Sequence, residues 1–233
     1  MTISTVSKDE WLNARRILLD KEKNLTKAKD ALAHERRALP WLKLEKDYLF
    51  ETDTGDKSLN DLFGSHTQLI VYHFMFGPEW EAGCTSCSFW ADSFNGLEPH
   101  LNARDIGFVV VSRAPLEKLN QFKQRMGWEF NWVSSHKNSF NADFDVSFGS
   151  DHNPEDPVTY NFKDGTHYPM DEAHGTSVLV KGEDGTLYRT YSTYGRGLDE
   201  TNAAYSYIDL TPKGRQESAQ GNPMAWVKHH DAY

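Results

Sequence analysis

Cys84 and Cys87 are the two cysteines of the whole chain, and two residues separate them in "EAGCTSCSFW". A C-x-x-C pair can do three kinds of chemistry. It can supply two of the four ligands of a structural zinc. It can close as a structural disulfide. Or it can cycle between dithiol and disulfide, one thiolate attacking and the other thiol resolving. The zinc reading needs further ligands, and none of the ten histidines falls into an H-x3–5-H pattern with the pair. The redox reading needs a strand that ends at the pair and a helix that starts on it. There the first sulfur meets unpaired N–H groups at the positive end of the helix, which favour thiolate. The second lies one helical turn on, within reach of a disulfide formed on the first.

The surrounding sequence supplies that setting. Residues 67–76, "TQLIVYHFMF", are apolar, β-branched and aromatic, the pattern of a strand buried on both faces. Residues 88–104 read as helix, interrupted near Asn95, Gly96 and Pro99. Residues 105–114 read as a second buried strand, 115–127 as a second helix ending at glycine, and "WEFNWVSS" as a third strand. A strand–helix–strand order of this kind implies a parallel sheet with helices on its faces. Residues 136–172 are polar and carry scattered Gly, Pro, Asn and Asp, so a long insertion with little regular structure is expected there. A hairpin turning at Glu183, Asp184 and Gly185 and a helix over 198–210 complete the domain.

Upstream, residues 8–39 are rich in Leu, Ala, Lys, Glu and Arg, and Pro40 stops them. Leu12, Leu18, Leu19, Leu25, Ala28 and Leu32 give this helix a loose apolar stripe, suited to the domain or to a second subunit of a homodimer. A hairpin around residues 53–56 and a turn of helix lead into the first strand. The expected organisation is a helical arm over 1–45, a domain over 46–212 and a tail over 213–233.

Bulk composition removes several functions. With 233 residues, 38% hydrophobic and 13% aromatic, the chain can bury a core without disulfide staples. A net charge of -9 argues against nucleic acid or an anionic membrane surface as the main partner. No apolar run is long enough to span a membrane, and no basic stretch with an apolar h-region opens the chain. The expectation is a cytoplasmic protein that needs no metal and no organic cofactor.

"YHFMFGPEWEAGCTSCSFWAD", "VSRAPLEKLNQFKQRMGWEFNWVSS", "TYSTYGRGLD" and "MAWVKHHDAY" resemble a mainly bacterial thioredoxin-like family described as dithiol–disulfide oxidoreductases. The resemblance implies a thioredoxin-like α/β fold, a central mixed sheet flanked by helices, with Cys84 and Cys87 as its redox pair. It implies a protein or small-molecule thiol or disulfide as substrate. More distantly the layout is similar to peroxiredoxins, although Glu81 stands where their threonine would precede the cysteine. Thioredoxins also set a cis-proline opposite the cysteines, before the strand that follows the insertion. Here Thr176 or Ser177 would occupy that place and contact substrate.

Other residues have both a structural and a chemical reading. His73 lies in the apolar strand, as a hydrogen-bonded core residue or as a proton carrier for the cysteines. Trp80 and Trp90 flank the pair, as packing or as the aromatic rim that thioredoxin-like sites use for docking. Glu79 could move the proton of Cys87 during resolution. Arg189 and Arg196 are surface or salt-bridged residues unless the chemistry involves peroxide. Three functions follow: a dithiol–disulfide oxidoreductase, a thiol peroxidase passing through a sulfenic acid, and a redox-inactive binding protein on the same fold.

Overall fold

The computed structural model describes residues 4–233. They form two units, the first ending at Pro40 and the second being Trp41–Tyr233. The first is built on α1 (Lys8–Arg37). Its start is fixed by a reciprocal cap, with Ser7 Oγ accepting from the Glu10 N–H and the Glu10 carboxylate accepting from the Ser7 N–H. Arg36 and Arg37 stand in its last turn, where cations suit the helix dipole.

The second unit opens with β1 (Leu42–Lys43) and a small hairpin of β2 (Leu49–Phe50) and β3 (Lys57–Ser58). The short α2 (Leu59–Leu62) follows, and then β4 (Gln68–His73). After the cysteine loop come α3 (Thr85–Ala91), α4 (Glu98–Asn102), β5 (Ile106–Ser112), α5 (Leu116–Arg125) and β6 (Trp132–Ser134). Next are α6 (Phe140–Asp143), a hairpin of β7 (Pro157–Tyr160) and β8 (Lys163–His167), and the long hairpin of β9 (Gly175–Lys181) and β10 (Leu187–Tyr194). A 3-10 helix (Gly195–Thr201) and α7 (Ala203–Ile208) close the domain.

Six strands make one sheet in the order β1-β10-β9-β4-β5-β6. β4, β5 and β6 run parallel, while β9 is antiparallel to β4 and β10 to β9. With helices on both faces and the C-x-x-C at the exit of β4, this is the thioredoxin-like fold.

Strand alternation divides the core into two layers. Tyr72, Phe74, Phe108, Val110 and Trp132 meet Cys87, Trp90, Leu119, Phe122 and Tyr205 on one face. Leu69, Val71, Val109, Val111 and Leu179 meet Phe50, Leu62, Phe63 and Phe140 on the other.

The expected loose insertion over 136–172 is not what forms. α6 and the β7–β8 hairpin lie within it, and Phe140, Phe144, Val146 and Tyr160 are core residues of the second layer. The Phe140 ring meets Tyr48 and Phe50 edge-on, each with centroids 5.0 Å apart, and lies 4.4 Å from Phe144. The tight turn of that hairpin is Asn161–Phe162, with φ of 52° and 61°. Two-residue turns require such left-handed values and normally signal them with glycine, which is absent here. The tail over 213–233 bonds to the domain through His229 and Asp231.

Replacing Phe140 by alanine should therefore cost about 3–5 kcal/mol of stability, as for other buried phenylalanines. Urea denaturation measures it, and a loss below about 1 kcal/mol would mean that the insertion lies loosely on the domain.

Candidate active site

The chain leaves β4 through Phe74, Met75 and Phe76, all buried, and returns to put Cys84 against the strand end. The Met75 main chain makes both ends of that contact: its C=O accepts from the Cys84 N–H at 3.0 Å, and its N–H points at Cys87 Sγ at 3.4 Å. Gly83 is required beside it. A Cβ there would come within 2.8 Å of the Phe74 ring and 2.9 Å of the Phe122 ring. Cys84 is the N-cap of α3, and its carbonyl accepts from the Ser88 N–H and the Ser88 hydroxyl, both at 2.9 Å.

The two sulfurs are free thiols in unlike surroundings. Cys84 is half-buried; Cys87 is buried. The Cys87 thiol donates to the Cys84 sulfur, and the N–H groups of Cys87 and Ser86 point at it too, so that the Cys84 pKa is brought down to about 7 despite burial. Cys87 goes the other way. Burial, and then its bond and charge repulsion with Cys84, push its pKa well above the ordinary thiol value, against a smaller opposing pull from the Met75 N–H and Tyr72. One thiol is readied to ionise and the other is held protonated behind it.

Tyr72 adjoins the pair, while Tyr160 lies in, and Tyr168 against, the other core layer. The Tyr72 hydroxyl is fully buried, finds no oxygen or nitrogen partner and adjoins the Cys87 sulfur. Its own pKa is raised by burial and then by Cys87. Tyr160 and Tyr168, from the 136–172 segment, are raised first by burial and also by the charge of Cys87. The Tyr160 hydroxyl donates to the His174 C=O at 2.9 Å and accepts from the Gly195 N–H at 3.0 Å, fixing the chain just before β9. The tail reaches the motif from the other side. His229 Nε2 donates to the Gly83 C=O at 2.8 Å, and Arg125 pairs with Asp231 through two bonds of 2.8 and 2.9 Å. His230 meets Asp92 at 2.6 Å, and Trp226 packs on Phe89.

The expected site residues divide accordingly. Cys84 and Cys87 lie together at the start of α3. His73 does not join them: it lies in the opposite layer, against the Phe140 and Phe144 rings, with Nε2 2.9 Å from Ser177 Oγ. Burial, aided by Arg189, pulls its pKa down to about 3, so it is the neutral core histidine and not a proton carrier. Ser177 faces the same way, bonded to His73 and at 2.8 Å to Ser192, and so cannot touch a substrate at the cysteines. Thr176 pairs with Tyr72, one residue inside β9. His174, ahead of that strand, is the residue whose ring faces Trp90, at 6.0 Å. Trp90 is a buried core residue whose Nε1 donates to the Leu198 C=O at 2.9 Å, not a docking rim. Arg189 is held by Ser192 and Tyr194, and Arg196 is an exposed partner of Asp199.

Trp80 and Glu79 do line a cleft, of about 390 Å³, together with Ser150, His152, Pro169, Met170 and Asp171. Trp80 Nε1 donates to Asp171 at 2.9 Å, which ties the cysteine loop to the end of the insertion. Beside it, Glu172 is wholly buried against Arg113 Nε (2.5 Å) and Ser147 (3.1 Å). Burial outweighs Arg113 there and pushes the Glu172 carboxyl up to about 7. Among the described residues no group of three or more His, Cys, Asp or Glu is arranged to hold a metal. No described helix is long and apolar enough to cross a membrane.

Tyr72, Tyr160, Tyr168 and His229 escaped the sequence reading. Strand alternation sets Tyr72 on the face opposite His73 but does not say which face the cysteines take.

A thioredoxin-like sheet with a C-x-x-C dithiol at the start of a helix defines the class of protein. The chain belongs to the bacterial family of unknown function DUF899, whose model matches residues 1–233. Among curated proteins none matches it. Solved structures that it resembles include a Xanthomonas campestris bacterioferritin comigratory protein with alkyl peroxide reduction activity (19% identity, 67% of this chain and 88% of that one, TM-score 0.42). The peroxidoxin BcpB of Mycobacterium tuberculosis is similar at 15% identity over 73% of this chain and 96% of that one, TM-score 0.45. A yeast mitochondrial 1-Cys peroxiredoxin is similar at 14% identity over 79% and 84%, TM-score 0.44.

The role of Tyr72 can be read on a Cys84→Ala background, where Cys87 is the sole thiol. Adding Tyr72→Phe removes a hydroxyl that favours the Cys87 thiolate, so the pH midpoint of Cys87 alkylation should rise. An unchanged midpoint would make Tyr72 a packing residue.

Proposed function

We propose that this protein is a thiol–disulfide oxidoreductase. The observation that carries this reading is the asymmetry of the pair: a half-exposed Cys84 with its pKa brought down to about 7, backed by a buried Cys87 whose pKa is raised. The Cys84 thiolate attacks one sulfur of a substrate disulfide, forming a mixed disulfide, and the departing thiolate takes up a proton. Cys87 then loses its proton and attacks the Cys84 sulfur. The Cys84–Cys87 disulfide forms, the second substrate thiolate leaves, and the substrate has gained two electrons. A dithiol protein or small thiol restores the pair. We assign Trp80 and Glu79 to substrate contact, since both line the cleft beside the cysteine loop. The working compartment we propose is the cytoplasm, where such a pair is kept in exchange with reduced thiols.

Equilibrium titration against defined dithiol buffers, with alkylated thiols counted by intact mass, tests the reading. A reversible loss of two thiols between roughly -120 and -270 mV, the span of thioredoxin-like exchangers, is expected. Cys87→Ser should trap a mixed disulfide on Cys84 and Cys84→Ser should abolish exchange. Thiols that never pair would contradict the reading in favour of a redox-inactive binding protein. Consumption of hydrogen peroxide with Cys84 oxidised to sulfenic acid, and no exchange with disulfides, would replace it with a thiol peroxidase.

A further inference from the structure

α1 is a 30-residue helix that buries none of its residues. Helices in water draw most of their stability from packing an apolar face, so a helix of this length carries an unmet demand for a partner. The face in question has a definite period. Trp11, Leu18, Leu25 and Leu32 recur every seven residues, and they are 57%, 51%, 57% and 51% exposed. The positions three residues after each are Ala14, Lys21, Ala28 and Glu35. Four such seven-residue repeats, with Ala14 and Ala28 at two of the trailing positions, mark one edge of a two-stranded coiled-coil seam, in which each helix under-winds to keep such a stripe facing its partner.

We propose that α1 pairs with α1 of a second copy of this chain, and that the two helices run antiparallel. The side chains decide the direction. In a parallel pair each residue of the seam meets its own copy, so Lys21 would face Lys21 and Glu35 would face Glu35. In an antiparallel pair the leading position of one helix meets the trailing position of the other. Leu18 then covers Ala28 of the second copy and Leu32 covers Ala14, large against small. The stem of Lys21 lies along Leu25 with its ammonium in water, and Trp11 lies beside Glu35. No like charges meet across the seam. Charge composition also selects this occupant over a lipid surface. α1 carries nine Lys or Arg against six Asp or Glu, with both signs along its length. Helices that lie on anionic membranes have a polar face dominated by Lys and Arg. The proposal does not depend on the redox reading.

The test uses the full chain carrying Cys84→Ser and Cys87→Ser, so that no native thiol can link two copies. Sedimentation over micromolar to submillimolar concentration should give a species of twice the 26.7 kDa chain mass. Leu18→Glu with Leu25→Glu should return it to monomer, with the thermal transition of the domain unchanged. Introduced cysteines then read the direction. Leu18→Cys mixed with Ala28→Cys should cross-link between the two variants on oxidation, and Leu18→Cys by itself should not. A monomer at every concentration overturns the proposal, as does a dimer that survives the glutamates. A monomer that co-sediments with phosphatidylglycerol vesicles overturns it in favour of a membrane surface. Cross-linking of Leu18→Cys to itself overturns the antiparallel direction.

Discussion

The peptide of Met75 is what the rest of the site depends on. Its carbonyl holds the Cys84 N–H and its N–H faces the Cys87 sulfur, so one residue at the end of β4 fixes the start of α3 and the depth of the second thiol. The pair is thereby locked in register with the central strand of the sheet. From that placement the unequal thiols follow. Cys84 stands at the turn, where main-chain N–H groups and the Cys87 thiol converge on its sulfur. Cys87, one helical turn further in, is driven into the layer of Tyr72, Phe74 and Trp90. The cost of burying a charge, which acts on both sulfurs, is outweighed by hydrogen bonds only at the first.

Two long-range elements complete this arrangement. The 136–172 segment fills the opposite core layer with Phe140, Phe144 and Tyr160. The tail brings His229 onto the carbonyl of Gly83, the residue before Cys84, and anchors itself through Arg125–Asp231 and His230–Asp92. Both hold the loop between β4 and α3, whose own Trp80 is bonded to Asp171.

How much of this was legible follows from periodicity. β4, β5, α5 and the β9–β10 hairpin have strong apolar patterns and emerged within a few residues of their true ends. So did the C-x-x-C at the junction of strand and helix. The insertion was misread because α6 is a single turn and the β7–β8 hairpin turns through Asn161–Phe162, where no glycine announces the left-handed conformation. Its core contribution rests on isolated aromatics, which carry no period. Alternation puts His73 on the face opposite Tyr72, but only the packing of Phe140 and Phe144 reveals that this face is the one away from the cysteines. Thr176 and Ser177 do not precede the strand but lie inside it, since β9 starts at Gly175. Gly175 already pairs with His73, which leaves Ala173 and His174 ahead of the strand. The tail's contacts with Gly83, Asp92 and Arg125 had no local signature.

The account stands on a Cys84 thiolate formed near neutrality while Cys87 stays protonated. The most direct test is the rate of iodoacetamide alkylation of the reduced protein as a function of pH, with the modified cysteine identified by peptide mass. Cys84 should react alone, its rate rising with pH through a midpoint of about 7, because the thiolate fraction grows as pH passes the lowered pKa. A midpoint at or above about 8.5, the ordinary thiol value, or equal reaction of the two cysteines, would contradict it.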